Sequence, residues 1–166
     1  MKKIICFAFA VLIAGSVLSS LAQSNKKLSK DEKRERLAAK VKDSIDNKSF
    51  TINVNMAYPQ SHAAINLTSN YSLRLIGDSI ISYLPYYGRA YRVPYGGGKA
   101  LNFSDKVIDY KTTYPKKNLT RILFTVKNDE DTYKYTIEVY DNASSTINVS
   151  SNQRQYISFS GELETK

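Results

Sequence analysis

The sequence predicts a mainly β domain, an antiparallel meander of about nine short strands curled into a barrel-like or sandwich-like sheet, with one N-terminal amphipathic helix. Three observations carry this expectation. From Phe50 onwards, apolar residues recur with a period of two. Turn signals interrupt them roughly every 8–12 residues. Helical periodicity occurs once, ahead of Asn47.

The chain opens on Lys2 and Lys3, an apolar run from Ile4 to Val17, and then Ser19-Ser20-Leu21-Ala22-Gln23. A charged start, a short greasy stretch and a small-x-small site make a secretory signal peptide, residues 1–22, cleaved after Ala22. The apolar run falls short of the roughly 20 residues that span a bilayer. No second run of that length follows, so no transmembrane segment is expected in the mature chain. Cys6 precedes most of the run, where a lipoprotein anchor is not placed, and it leaves with the signal. The expected location is outside the cytoplasm, in the periplasm or at the cell surface. A mature chain without cysteine has no disulfides, so its stability must come from its core.

The whole chain has 24 Lys and Arg against 15 Asp and Glu in 166 residues, a net charge of +9. Losing residues 1–22, with Lys2 and Lys3, leaves 144 residues at +7, the length of one domain. The two basic clusters, Lys26 to Lys42 and Lys116-Lys117, are not interleaved with aromatics as a nucleic-acid platform requires, so no nucleic acid is expected as a partner. The net charge fits a solvated, soluble surface.

Residues 23–48 form a polar segment and then the helix. Ser29 followed by Glu32 is a capping box. From Lys30 to about Asp46, Leu37, Val41 and Ile45 recur every fourth residue, which gives one narrow apolar stripe and a peripheral helix laid on something larger. Asn47-Lys48 ends it.

Residues 49–166 form the β domain. Phe50, Ile52, Val54, Met56 and Tyr58 alternate with polar residues as one half-buried strand, and Pro59 to Ala63 is a loop. Tyr71 begins the next strand, and Gly77-Asp78 turns it into Ser79 to Leu84. Tyr91 to Pro94 is a short strand before the Gly96-Gly97-Gly98 turn. Leu101 and Phe103 follow, then Val107 to Tyr114 and the turn Pro115 to Asn118. Ile122, Phe124 and Val126 alternate up to the Asn128 to Asp131 turn. Tyr133, Tyr135, Ile137 and Val139 alternate after it. Ile147 with Val149, and Ile157 with Phe159, complete the meander.

Chemistry-bearing clusters are sparse. The single histidine, His62, stands in a loop beside Ser61, and a nucleophilic triad needs a third group to hold the base. No spacing suits zinc, so no metal and no cofactor are expected. The glycines before Lys99 miss the phosphate-loop pattern, because Val93 and Ala100 occupy two of its required positions. An enzyme is not expected.

The positive feature is tyrosine, 13 in all with no tryptophan. Tyr83, Tyr86, Tyr87, Tyr91 and Tyr95 crowd one segment, with Arg89 and Arg92 between them. Rigid aromatic area beside forked donors is the composition of a recognition surface. The competing reading is structural: Pro85 and Gly88 shape a corner, and hydroxyls cap its loose backbone groups. Two Asp-Ser-Ile triplets make Ser44 and Ser79 weak candidates for O-glycosylation.

The run Ser82-Tyr83-Leu84-Pro85-Tyr86-Tyr87-Gly88-Arg89-Ala90-Tyr91 resembles the signature of an exported Bacteroidetes family, domain of unknown function 4251. Tyr58-Pro59, Gly77-Asp78-Ser79 and Leu101-Asn102-Phe103 agree with it. So does the ending from Ser151 to Gly161, although Phe159 stands where the family pattern has tyrosine. The resemblance covers about residues 49–162. It brings Arg154 into the candidate site beside Tyr83, Tyr86, Tyr87, Arg89, Tyr91 and Arg92. It implies a compartment and a patch but no reaction, and the overall expectation is an exported, monomeric or weakly associating binding domain. The expected partner is an envelope protein or a glycan. A structural envelope component is the second expectation and an undescribed hydrolase the third.

Overall fold

The structure, a computed structural model, describes residues 29–92 and 97–165. The expected signal peptide, with Cys6, lies outside them, as do Val93, Pro94, Tyr95 and Gly96.

The helix, α1, runs Lys30–Asp46, and its capping box forms as the sequence predicts. The Ser29 N–H donates to Glu32 Oε2 at 2.7 Å, and the Glu32 N–H donates to Ser29 Oγ at 3.2 Å. Eight strands follow: β1 Ser49–Pro59, β2 Ile65–Ile76, β3 Ser79–Tyr83, β4 Asn102–Lys116, β5 Leu119–Lys127, β6 Thr132–Tyr140, β7 Ser144–Ser151 and β8 Ile157–Leu163. Each pairs antiparallel with its sequence neighbour, and β8 returns to β1, so the sheet is a closed barrel. Closure leaves the meander no end strands at risk of pairing with other chains.

Eight strands stand where about nine were expected, for two reasons. Phe103 and Val107 belong to one continuous strand, β4. Tyr91 and Arg92 make no strand, and only a single bridge joins Ala90 to Arg154. β2 also begins at Ile65, well before Tyr71.

The expected alternation of β1 holds for Phe50, Ile52 and Val54 and then reverses. A bulge between Val54 and Met56 shifts the register to both neighbours. An extra residue turns the following side chains over. Ala57 and Pro59 therefore face inwards, Met56 is half-buried and Tyr58 is exposed. Gly161 lies opposite this bulge. A Cβ there would overlap the Asn53 carbonyl oxygen and sit 2.7 Å from Val54 Cα. The β1–β8 seam closes only because residue 161 has no side chain.

The inward residues of all eight strands fill the barrel. Ile52, Leu73, Ile80, Ile122, Tyr133, Ile137, Ile147 and Phe159 have no exposed surface. Phe124 stacks on Tyr135 with ring centroids 4.9 Å apart, and Phe103 on Tyr133 at 5.0 Å.

The lower end, where β1 begins, is capped by α1. Val41 and Ile45 are 2% exposed and join the barrel core, with Leu37 packed partly against it. The helix thus reaches the core through the expected stripe alone, Leu37, Val41 and Ile45. Lys48, at φ 48°, turns the chain from helix to β1, and its carbonyl accepts from the Gly77 N–H at 2.8 Å. The Lys48 ammonium pairs with Asp78 at 2.9 Å, and the Tyr114 hydroxyl donates to Asp46 at 3.3 Å.

Candidate functional site

The tyrosine-rich corner closes the other end of the barrel. Its two feet are stitched together at Leu84 and Leu101, both buried in the core. The Leu84 N–H reaches the Leu101 carbonyl at 3.4 Å, and Ser82 Oγ donates to the same oxygen at 2.6 Å. From Leu84 to Arg92 the chain runs on past the end of β3. It binds there to the β7–β8 connection, where the Tyr91 N–H donates to the Gln153 carbonyl at 2.7 Å. The Gln155 N–H donates to the Arg89 carbonyl at 2.9 Å, and the Arg89 N–H donates to Gln155 Oε1 at 3.0 Å.

Tyr86 folds back over Gly88 in this segment. Its hydroxyl lies 2.9 Å from the Gln155 carbonyl oxygen and 3.0 Å from that of Arg89. A Cβ on residue 88 would stand 2.5 Å from that hydroxyl, so glycine makes room for the ring. Burial pushes the Tyr86 phenol up, and the Arg154 guanidinium opposes this. Pro85 is buried beneath it. The Leu-Pro-Tyr-x-Gly pattern is thus a folding device: a core anchor, a fixed bend, a back-folded ring and the space to accept it.

Arg154 is the centre of the latch. It is 7% exposed, and its guanidinium lies 5.6 Å from the Tyr86 ring centroid. Nη2 pairs with Glu130 Oε2 at 3.0 Å. The other Glu130 oxygen accepts from the Lys99 N–H at 2.8 Å. Gly98 lets the chain approach, since a Cβ there would stand 2.7 Å from Glu130 and 2.9 Å from Arg154. The neighbouring Asp131 is also buried. It accepts from the backbone N–H groups of Thr132, Asn152 and Gln153 at 2.7, 3.2 and 3.1 Å. Three connections are tied at one point. Sequence reasoning missed Glu130 and Asp131, which resemble an ordinary acidic hairpin end until Arg154 is placed against them.

The seven candidate residues therefore divide. Arg154 is buried and Tyr86 half-buried, and both serve the latch. The expectation that Arg154 belongs to an accessible binding face is corrected: it is buried and its charge is paired with Glu130 through Nη2, while its Nε has no partner among the described residues. Tyr83, Tyr87 and Tyr91 are 52%, 37% and 65% exposed, and Arg89 and Arg92 are exposed too. Tyr83, the last residue of β3, is exposed and packs against Tyr71, with ring centroids 5.3 Å apart. The corner presents these side chains on a backbone that the latch holds still.

The remaining candidates are dispersed. Ser79 is exposed at the start of β3, whereas Ser44 is half-buried on α1. His62 is exposed, and its Nδ1 lies 3.2 Å from Ser61 Oγ.

The fold and the latch define a class: a small helix-capped antiparallel β-barrel whose connections at one end are tied together by buried polar contacts. The chain belongs to the family described as Domain of unknown function (DUF4251), whose model matches residues 32–163. A crystal structure of a DUF4251 family protein from Bacteroides eggerthii is similar, with a TM-score of 0.60. The likeness covers 78% of this chain and 88% of that one at 14% identity, so it is a likeness of fold. No curated protein matches the chain.

Proposed function

We propose that the protein is an exported binding module that recognises an envelope protein or glycan through the outer half of its tyrosine corner. The observation behind this reading is the exposure of Tyr83 at the end of β3, and of Tyr87, Arg89, Tyr91 and Arg92 on the segment after it, whose inner half is pinned by the latch. Aromatic rings and guanidinium groups on a preorganised backbone lose little entropy on binding. Export rests on the sequence of residues 1–23. A binding role rather than a catalytic one follows the same reading, since its chemistry is stacking and hydrogen bonding. A purely structural envelope role is the second reading, and the burial of Tyr86 and Arg154 favours it.

One pair of measurements separates the two. Arg89→Ala and Tyr91→Ala should each abolish capture of envelope proteins or of immobilised glycans. Their melting temperatures should barely change, because exposed side chains contribute within about 0.5 kcal/mol. Capture that survives both substitutions rejects the corner as a binding face.

A further inference from the structure

A second candidate site lies at the opposite end of the molecule, away from the corner. A half-open groove of about 390 Å³ separates the flank of α1 from the barrel rim. Small-ligand sites start at about this size. Lys40, Asp43 and Asn47 line it from the helix, on a stripe beside the buried Val41 and Ile45. Arg74 and Glu164 line it from the barrel. They flank Thr51 across adjacent backbones: Arg74 is its register partner in β2, and the Glu164 N–H donates to its carbonyl at 2.8 Å.

The groove is charged with both signs. Among the described residues, no ion pair occupies Lys40, Arg74 or Glu164. Arg74 Nε donates to Thr51 Oγ1 at 3.2 Å, which fixes the guanidinium while leaving its terminal nitrogens to a ligand. Asp43 holds Asn47 Nδ2 at 3.0 Å through one oxygen and retains the other. Val41 and Ile45 seat the helix in the core, and the Tyr114–Asp46 contact and the Lys48–Asp78 pair just beyond its end flank the groove's floor. A simple anion here would face Asp43 and Glu164, and a simple cation would face Lys40 and Arg74. A ligand carrying both charges a few ångströms apart meets neither penalty.

We propose that this groove binds a zwitterionic amino acid or dipeptide, its carboxylate on Arg74 and Lys40 and its ammonium on Glu164 and Asp43. The test is a nuclear magnetic resonance titration of the full chain with alanyl-leucine, its N-acetyl derivative and its C-terminal amide. Saturable shifts should appear at the amides of Ser44, Asn47, Thr51 and Arg74. Blocking either end should weaken binding at least about tenfold. Arg74→Gln should erase the preference for a free carboxylate, and Glu164→Gln the preference for a free ammonium. Both are exposed side chains, and the blocked-peptide comparison on unaltered protein stands without them. Shifts that do not saturate, shifts confined to other surfaces, or equal binding of all three peptides would overturn the proposal.

Discussion

The two ends of the barrel are closed by opposite kinds of chemistry. The lower end is covered by volume: Val41 and Ile45 drop from a helix into the core. The upper end is covered by geometry: Arg154, Glu130, Asp131 and Tyr86 join three connections through hydrogen bonds, with Gly88 and Gly98 supplying clearance. An apolar cap tolerates substitutions that conserve size. A buried polar latch does not, because removing one partner strands another. The upper end can therefore hold a precise external surface, whereas Val41 and Ile45 at the lower end need only match the core in size.

The seam shared by both ends sets the largest expected effect. Gly161→Ala forces a Cβ into the backbone of Asn53 and Val54, where no side chain can swing aside. The strands must separate locally, and a loss above about 4 kcal/mol or failure to fold is expected. Chemical denaturation measures it. A stable Gly161→Ala protein would show that the β1–β8 seam yields more than its geometry implies.

Arg154→Ala comes next and bears directly on the latch. It leaves Glu130 without its charged partner and uncovers the Tyr86 ring. Breaking a buried pair costs about 3–5 kcal/mol, and Glu130, which retains some solvent access, places this one near 3. Arg154→Lys should recover only part, since an ammonium lacks the planar guanidinium that lies over the Tyr86 ring. A melting temperature unchanged by Arg154→Ala would remove the distinction between the two ends.

At the lower end, Ile45→Ala should cost about 2–3 kcal/mol, the penalty for truncating a buried aliphatic side chain. Deleting residues 23–47 should still leave a barrel that unfolds cooperatively, because α1 contributes few buried side chains beyond Val41 and Ile45. Loss of the cooperative transition on deletion would mean that the helix is part of the barrel rather than its lid.

The sequence revealed most at the lower end and least at the upper. Ser29, Glu32, Leu37, Val41 and Ile45 carry local signals, and capping and helical periodicity act within a few residues. The inward faces of β5 and β6 are equally legible, because period two runs from Ile122 to Val126 and again from Tyr133 to Val139, on either side of one turn. The β1 bulge leaves no such mark: Asn55 resembles any outward polar residue, and only the pairing with β2 and β8 shows the phase change. The latch is harder still. Glu130 and Arg154 are 24 residues apart, and neither residue reveals that the other neutralises it. Arg154 consequently looked like a surface arginine. The motif marked the right segment, while burial decided which of its side chains face outwards.

The smallest expected effect distinguishes the ends by pH. Burial raises the phenols of Tyr86, Tyr133 and Tyr135 at or beneath the upper end, and that of Tyr110 near the lower. A phenol whose folded pKa exceeds its ordinary 10.0 changes nothing below that pH, where both states keep the proton. Above it the unfolded chain ionises first, so stability falls as pH rises. Tyr135 is the most strongly raised, and its hydroxyl has only a long 3.5 Å contact with Ser82 Oγ. Tyr135→Phe should therefore change stability at pH 7 by under about 0.5 kcal/mol and flatten the decline above pH 10. Deleting α1 should leave that decline largely in place. Thermal melts from about pH 8 to 11 measure both. If Tyr135→Phe leaves the alkaline limb unaltered while the deletion removes it, the sensitive phenols belong to the helix-capped end and the assignment to the upper end is wrong.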